Sequence, residues 1–537
     1  MVMNNILLLP FLLFTSYSSA QAPDTLWTRS YGSSANEVAG QMSVNSFGNN
    51  MASAAFDALD GGLYVCTYTP GNDGWVNANN GDDDIWVLKL DANGDTLWTR
   101  ILGGSGIDRV YRMRAVTTGG VVLAGRTTNG AGLCTGFQGQ TDGLLVRLDA
   151  SGNTVWSRCM GGSDQDYVYD VAENPVGNFV ACGESNSSNG DLAGAGNGLA
   201  WVQIVNGQSG APVVSFAPLG PNGSNPDALE NFTIVTRMAT ESAYLLGGFT
   251  SPSFSDFNLD DIWVAKMDFL GNVLWSRSYG SSNARDGSAA LVELPDGGFI
   301  IAGLLGGNGG FPQYLGGPGD GLLIRCDTDG NVVWSRSYGG SDWEYFNDAI
   351  LDADGNLLVG GFSRSTNGIL TNTTAYGNAD HWLLKVAPST GDTLWTKRMG
   401  GPNFDAATGI ANNGITNEVA LVGRSDGTGG WISGNNGGRD LWVARLSGDV
   451  STSVQDQPSR SSVLYPNPAN NLMELISEQG IQHLRVLDPG GRTLLELPFA
   501  NTLKISVDVS ALPNGLFVLE ALLQDGSNIR ERFVIQH

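Results

Sequence analysis

The chain has 537 residues, and Lys+Arg 28 against Asp+Glu 53 leave a formal net charge of −25. That field repels nucleic acid and anionic membrane surfaces, so neither is expected as a partner. Glycine reaches 75 residues while hydrophobic residues still make up 41%, with 14 Trp, 14 Tyr and 20 Phe, which excludes disorder and points to an all-β chain with frequent turns and an ample core.

In chain order, Ile6 to Phe14 come first as a short apolar run, followed by Ser18-Ser19-Ala20 and Gln21. Small residues ahead of Gln21 fit a secretory cleavage site, so residues 1–20 read as a signal peptide. The run is too short to span a bilayer, and no later stretch reaches the roughly 20 apolar residues a spanning helix needs. No transmembrane segment is expected. The cysteines (Cys66, Cys134, Cys159, Cys182, Cys326) are odd in number and lack CxxC spacing. They read as small hydrophobes, and a disulfide framework is not expected.

Residues 21–447 repeat. Asp95-Thr96-Leu97-Trp98-Thr99-Arg100 recurs as Asn153 to Arg158, Asn272 to Arg277, Asn331 to Arg336 and Asp392 to Lys397. A further copy opens the mature chain at Asp24 to Arg29, and a degraded one lies at Ala211 to Phe216. The tryptophans are about 60 residues apart, longer than the roughly 50 of kelch-type blades. Each unit reads as four short strands, a to d. Strand a follows a Gly-Gly turn, strand b ends in Gly, strand c resembles Asp84 to Leu90, and strand d is the tryptophan phrase. Tight turns such as Leu294-Pro295-Asp296-Gly297 and Asp91-Ala92-Asn93-Gly94 join a to b and c to d, whereas the b–c connection is long and variable. Seven units of four strands predict a seven-bladed β-propeller. The lone strand d at Thr25 to Ser30 is expected to complete the last blade by pairing with the lone strand c at Asp440 to Leu446. With Gly-Gly after strand b and Trp in strand d, the repeats resemble kelch repeats, with longer blades.

Most tryptophans occupy one position of strand c or strand d and read as inter-blade packing. Trp75, Trp431 and Trp343 do not. Trp75 and Trp431 lie on the b–c loops of the first and last blades, which ring closure makes neighbours. With Asn77, Asn79, Asn435 and Asn436 they suggest a sugar- or protein-binding platform, against a bland reading in which each ring tucks onto its own blade. An acid recurs where each unit enters strand a: Glu37, Asp108, Asp166, Asp227, Asp286, Glu344 and Asp405. With strand a innermost these carboxylates would ring the channel mouth, either as a cation site or, as sevenfold repetition favours, as acceptors for the Gly-Gly turns. The Asp opening strand c (Asp84, Asp142, Asp261, Asp320, Asp380, Asp440) reads the same way. Asp82-Asp83-Asp84 lacks the spacing of an EF-hand loop, and no metal or other cofactor is expected. His381 sits inside a strand c where relatives have Ile or Leu, and no nucleophile–base motif is visible, so no catalytic residue is named.

Residues 448–462 are rich in Ser, Asp and Gln and read as a linker. Alternating runs resume from Leu472 and predict a small C-terminal β-sandwich over 463–537. Leu464-Tyr465-Pro466-Asn467-Pro468-Ala469-Asn470, then Asp488-Pro489-Gly490-Gly491-Arg492, Leu512-Pro513-Asn514-Gly515-Leu516-Phe517 and Arg530 to Ile535 follow in order. This series resembles the C-terminal sorting domain of the type IX secretion system, with Phe517 where Tyr is commoner. The resemblance implies the type IX machinery as partner, a bacterium with an outer membrane, and export to the cell surface or extracellular space. The leading expectation is therefore a secreted or surface-attached, non-catalytic propeller that binds glycan or protein through its b–c loop face. A carbohydrate-active enzyme with an Asp/Glu pair and a structural surface-layer component are the alternatives.

Overall fold

A computed structural model describes residues 22–37, 52–56, 60–192, 199–216, 229–251, 261–281, 284–307, 313–413, 417–448, 462–465, 469–488, 492–524 and 528–537. The signal-peptide segment, most of the linker, Asp227, Pro466, Asn467, Pro468 and Gly491 lie outside the described residues. The chain divides into two compact units, the second beginning at Ser451.

In the first unit, short apolar runs bounded by glycine turns form seven four-stranded antiparallel sheets, each in the order a-b-c-d. The second blade is representative: Asp108–Ala115, Val121–Thr127, Asp142–Leu148 and Thr154–Met160. Strand a of each blade packs against strand a of the next, and that of the seventh blade, Asp405–Asn412, packs against that of the first, Ser53–Phe56. The ring is closed, with strand a innermost. As expected, Thr25–Tyr31 supplies the outer strand of the last blade, with Tyr31 opposite Leu441 and Thr25 opposite Leu446. The backbone pair Ser447 N to Asp24 O, 2.8 Å, extends this join.

The strand c tryptophans are fully buried between blades, while those of strand d reach across to the next blade. The indole N–H of Trp27 donates to Ala92 O at 2.8 Å, that of Trp98 to Ala150 O at 3.1 Å, and those of Trp156 and Trp334 to Gly207 O and Pro388 O at 2.9 and 3.0 Å. Each therefore fastens one blade to the c–d turn of the following blade. The repetition exists because every interface must be closed in the same way.

Three differences from the sequence reading stand out. In the first blade Glu37 does not open strand a, which begins at Ser53 beyond residues that are not described. Strand b runs past its glycine to a residue that is most often Ser or Thr, such as Thr127, Ser185 and Ser363. Cys134 and Cys159 form a disulfide with a Cα–Cα distance of 5.5 Å. It joins a b–c loop to strand d of the same blade, and no sequence spacing signals it, because the loop folds back over the strand. Cys66, Cys182 and Cys326 are buried thiols, and burial pushes those of Cys66 and Cys326 up to about 12.

In the second unit, two long strands, Leu472–Leu487 and Thr493–Asp508, pair with each other, and the first also pairs with Gly515–Leu523. Register breaks between Ile476 and Ile481 bend this sheet around one core. That core includes Met473, Leu484, Val507, Leu519 and Phe533. Tyr465 ends the short strand Ser462–Tyr465, Gly515 opens a strand opposite Ile535, and the Arg492 backbone N–H donates to Asp488 Oδ1 at 2.9 Å. Just after the proline motif, Ala469 exchanges backbone hydrogen bonds with Val534 and Gln536.

Candidate functional site at the loop end of the channel

The recurring acids are buried, not open to the channel. Glu37, Asp108, Asp166, Asp286, Glu344 and Asp405 have no exposed surface. Asp108 accepts the Gly104 N–H at 2.7 Å, Asp166 that of Gly162 at 2.8 Å, Glu344 that of Gly340 at 2.9 Å and Asp405 that of Gly401 at 2.6 Å. The hydroxyl at the end of strand b donates to the same carboxylate in several blades, as Ser363 does to Glu344 at 2.7 Å and Thr69 to Glu37 at 2.9 Å. The backbone N–H of the acid itself bonds to the preceding blade, as Asp108 N does to Asp83 O and Asp405 N to Ala379 O. Each acid thus ties its own strand b, its Gly-Gly turn and the neighbouring blade together.

The fourth blade corrects the sequence assignment. Its strand a bulge falls between Phe232 and Ile234, which sets Glu230 opposite Thr250, and Thr250 opposite Asp261. The same a–b–c row contains Asp108, Thr127 and Asp142 in the second blade. Glu230, 1% exposed, therefore occupies the place assigned to Asp227.

The strand c acids cap their own b–c loops. Asp84 accepts the Asn80 N–H at 2.5 Å, Asp142 that of Gln138 at 2.8 Å, Asp380 that of Tyr376 at 3.0 Å and Asp440 that of Asn436 at 2.7 Å. Burial, and then a neighbouring acid of the next blade, push Asp142 and Asp440 up to about 6 and Asp320 to about 7. Burial likewise pushes Asp405 to about 6. Asp84, Asp142, Asp320, Asp380, Asp405 and Asp440 have no exposed surface. His381 stacks on Trp442 at 4.0 Å, and burial followed by the Arg424 charge lowers its pKa to about 3, so the imidazole stays neutral. Among the described residues no group of three or more His, Cys, Asp or Glu is placed to hold a metal ion.

The two loop tryptophans differ. Trp75 is 42% exposed, rests edge-on against Tyr31 at 5.4 Å, and is pinned by its backbone N–H to Gly32 O at 3.1 Å. Trp431 is half-buried against strand d of the sixth blade, with Lys397 Nζ 5.6 Å from its ring centre and its N–H on Gly400 O at 2.9 Å. The two residues contact different neighbours along the strand Thr25–Tyr31, Trp75 the Tyr31 ring and Trp431, through its carbonyl, the Thr28 hydroxyl at 3.0 Å. Asn79, Asn435 and Asn436 spend their side chains on their own loops, as in Asn79 Nδ2 to Thr69 O at 3.2 Å, Gly437 N to Asn435 Oδ1 at 3.0 Å and Asn436 Nδ2 to Asp440 Oδ2 at 3.1 Å. Asn77 is exposed.

The channel is plugged across its width. Arg112, 2% exposed, reaches from the second blade to Asp348 of the sixth at 3.1 Å and to Ala289 O of the fifth at 3.2 Å. Arg114 forks onto Asp170 at 3.2 and 2.7 Å beside it. At the a–b turn end, a cavity of about 420 Å³ is lined by Arg112 and by strand a residues of four further blades.

The loop end contains an arginine–aromatic arc that the sequence reading missed. Arg364 lies 5.5 Å from the Trp343 ring and 5.8 Å from Phe404, and Arg424 lies 4.5 Å from Phe404. Arg424 and Arg439 share Asp426 at 3.2 and 3.7 Å. Arg109 covers Tyr68 at 4.7 Å while forking onto Asp83, and Arg126, opposite Arg109 in the ladder, lies 5.6 Å from Tyr167. Trp343, the third unexplained tryptophan, belongs to this arc.

With both units described, comparison with known proteins assigns the C-terminal one. Residues 463–536 match the family of the secretion system C-terminal sorting domain. The sorting domain makes this chain cargo for type IX export to the cell surface or extracellular space. Over 398 residues, 66% of the chain, it is 28% identical to the Regulatory protein FlaEY of Caulobacter vibrioides, and it spans 40% of that protein's length. Similar solved structures include the Pan2 WD40 domain of Neurospora crassa, at 9% identity and TM-score 0.42, covering 79% of this chain and 98% of that one. BamB of Moraxella catarrhalis is similar at 13% identity and TM-score 0.34, with 80% and 98% covered. No helix among the described residues is long and apolar enough to cross a membrane.

Proposed function

We propose that the exported propeller is a non-catalytic binding module that presents its b–c loop face to a glycan or a surface protein. The observation that carries this reading is Trp75, a large apolar side chain 42% exposed on a loop whose backbone is hydrogen-bonded into place. A fixed aromatic edge binds with little ordering cost. Trp431 is packed into its blade interface and serves as scaffold in this reading. The acids of the repeat are engaged with backbone donors and shut off from solvent, which favours binding over hydrolysis.

The experiment is a binding and turnover screen of the mature chain on glycans and surface extracts. Trp75→Ala is expected to cost about 1–3 kcal/mol of binding with unchanged stability. Turnover abolished by one Asp or Glu substitution would establish the enzyme instead. Neither binding nor turnover would leave a structural surface component.

A further inference from the structure

The arc at the loop end has a surplus of hydrogen-bond donors and of positive charge inside a chain of net charge −25. From the sixth blade round to the second the arc contains Arg364, Arg424, Arg439, Arg109 and Arg126, of which Arg424 and Arg439 pair with Asp426 and Arg109 with Asp83. The neighbouring acid row is engaged by local donors, Asp108 by the Gly104 N–H and Glu344 by the Gly340 N–H and the Ser363 hydroxyl. Among the described residues neither Arg126 nor Arg364 has a carboxylate partner. Nε of Arg126, Nε of Arg364 and Nε1 of Trp343 are buried without an acceptor. Both arginines are half-buried, with the guanidinium carbon of Arg126 5.6 Å from the Tyr167 ring centre and that of Arg364 5.5 Å from the Trp343 ring centre, which leaves their remaining N–H groups for an acceptor.

We propose that this arc binds a uronate-bearing oligosaccharide, its ring carboxylates received by Arg364 and Arg126. The chemistry selects the class. A guanidinium fork matches a carboxylate in two parallel N–H···O bonds. The overall negative field disfavours a dense polyanion, whereas one carboxylate per sugar ring keeps the repulsion low. Guanidinium groups held beside aromatic rings suit carboxylates fixed to rigid rings better than the flexible side chains of an acidic peptide, which would have to be ordered on binding. The inference rests on the binding-module reading and names the ligand for the same face.

The test is calorimetric titration of the mature full-length protein with an oligogalacturonate, its methyl ester, an oligoglutamate peptide and a neutral glycan. The oligogalacturonate is expected to bind, and the ester to bind at least about tenfold more weakly. Arg364→Gln and Arg126→Gln should each lower affinity by about tenfold or more. Arg364→Lys should recover only part of the loss, because it keeps the charge without the fork. Thermal melts check that each variant is folded. Equal affinity for the ester, indifference to both arginine variants, or tighter binding of the peptide would overturn the proposal. Neutral-glycan binding that depends on Trp75, without uronate binding, would overturn it and leave the binding module standing. No binding by any ligand would remove both.

Discussion

The acid row and the arginine arc lie a residue apart on the same strands, and their composition differs. Asp108 is followed by Arg109, and Arg126 is followed by Thr127. On the face holding Asp108 and Thr127, residue types recur from blade to blade, and Asp108, Asp166 and Glu344 each accept a backbone N–H from their own glycine turn. On the face holding Arg109 and Arg126, the strand b position reads Tyr68, Arg126, Glu184, Phe249, Leu304, Phe362 and Arg424, with no residue type appearing more than twice. Adjacent residues of a strand point to opposite faces, so one stretch can serve two demands. The repeated face solves the same closure problem seven times. The unrepeated face is free to be particular to this molecule.

That contrast can be broken or sharpened by experiment. The largest effect is expected on deleting Thr25–Tyr31. The deletion removes a whole strand ladder, the buried Tyr31 with its hydroxyl bond to Gly94 O at 2.6 Å, and the Trp27 bond to Ala92 O. It should cost several kcal/mol and expose a strand edge, read as loss of the cooperative denaturant transition and as aggregation.

Next comes Glu344→Ala, which leaves the Gly340 N–H and the Ser363 hydroxyl buried without their acceptor. The expected cost is about 2–4 kcal/mol in chemical denaturation, whereas Arg364→Gln on the other face should cost less than about 1 kcal/mol. Equal costs would erase the distinction between the two faces.

The smallest effect is a pH dependence. Asp142, Asp405 and Asp440 at about 6 and Asp320 at about 7 lie above their ordinary 3.8. The native state therefore holds more protons than the unfolded chain between those values. Stability from these groups is full below about 4 and is lost as pH rises through about 6 to 7. His381, kept neutral with its pKa lowered from 6.5 to about 3, opposes this on the acid side, but one imidazole is set against four carboxyls. The melting temperature should fall by a few degrees between pH 5 and pH 8, and Asp320→Asn should flatten the slope. A rise over this range would contradict the burial argument.

Much of the fold was legible because it is repeated. Tryptophans at two strand positions, glycine turns and an orphan strand at each end of the array sufficed to place seven blades and to close the ring. The bond from each Gly-Gly turn to an acid such as Asp108 or Glu344 was legible for the same reason, whereas their burial away from the channel was not. What escaped has physical causes. Asp227 and Glu230 are three residues apart in one acidic stretch, and only the position of a β-bulge decides between them. The Cys134–Cys159 bridge depends on how an irregular loop folds back on its own blade. The arginine arc is assembled from single side chains of several blades, none of which forms a motif alone. Its one sequence trace was Trp343, a tryptophan outside both scaffold positions. Trp75 and Trp431 looked equivalent in sequence and separated only when their neighbours, Tyr31 for one and Lys397 for the other, were known.

The join between the two ends of the propeller also sets an order on folding. Asp24 and Ser447 meet across a sequence separation of 423 residues, so the contact that completes the ring is the most costly in loop-closure entropy. Each of the other six propeller sheets is assembled from strands consecutive in the chain, so those blades can zip locally. A chain lacking Asp440–Leu446 has six such sheets and a strand at Thr25–Tyr31 with no partner. The kinetics should therefore show early formation of hairpins and blades followed by a slower step, with Tyr31 and Trp27 protected last. The folded propeller is in this sense a clasp that locks only when its whole length is present.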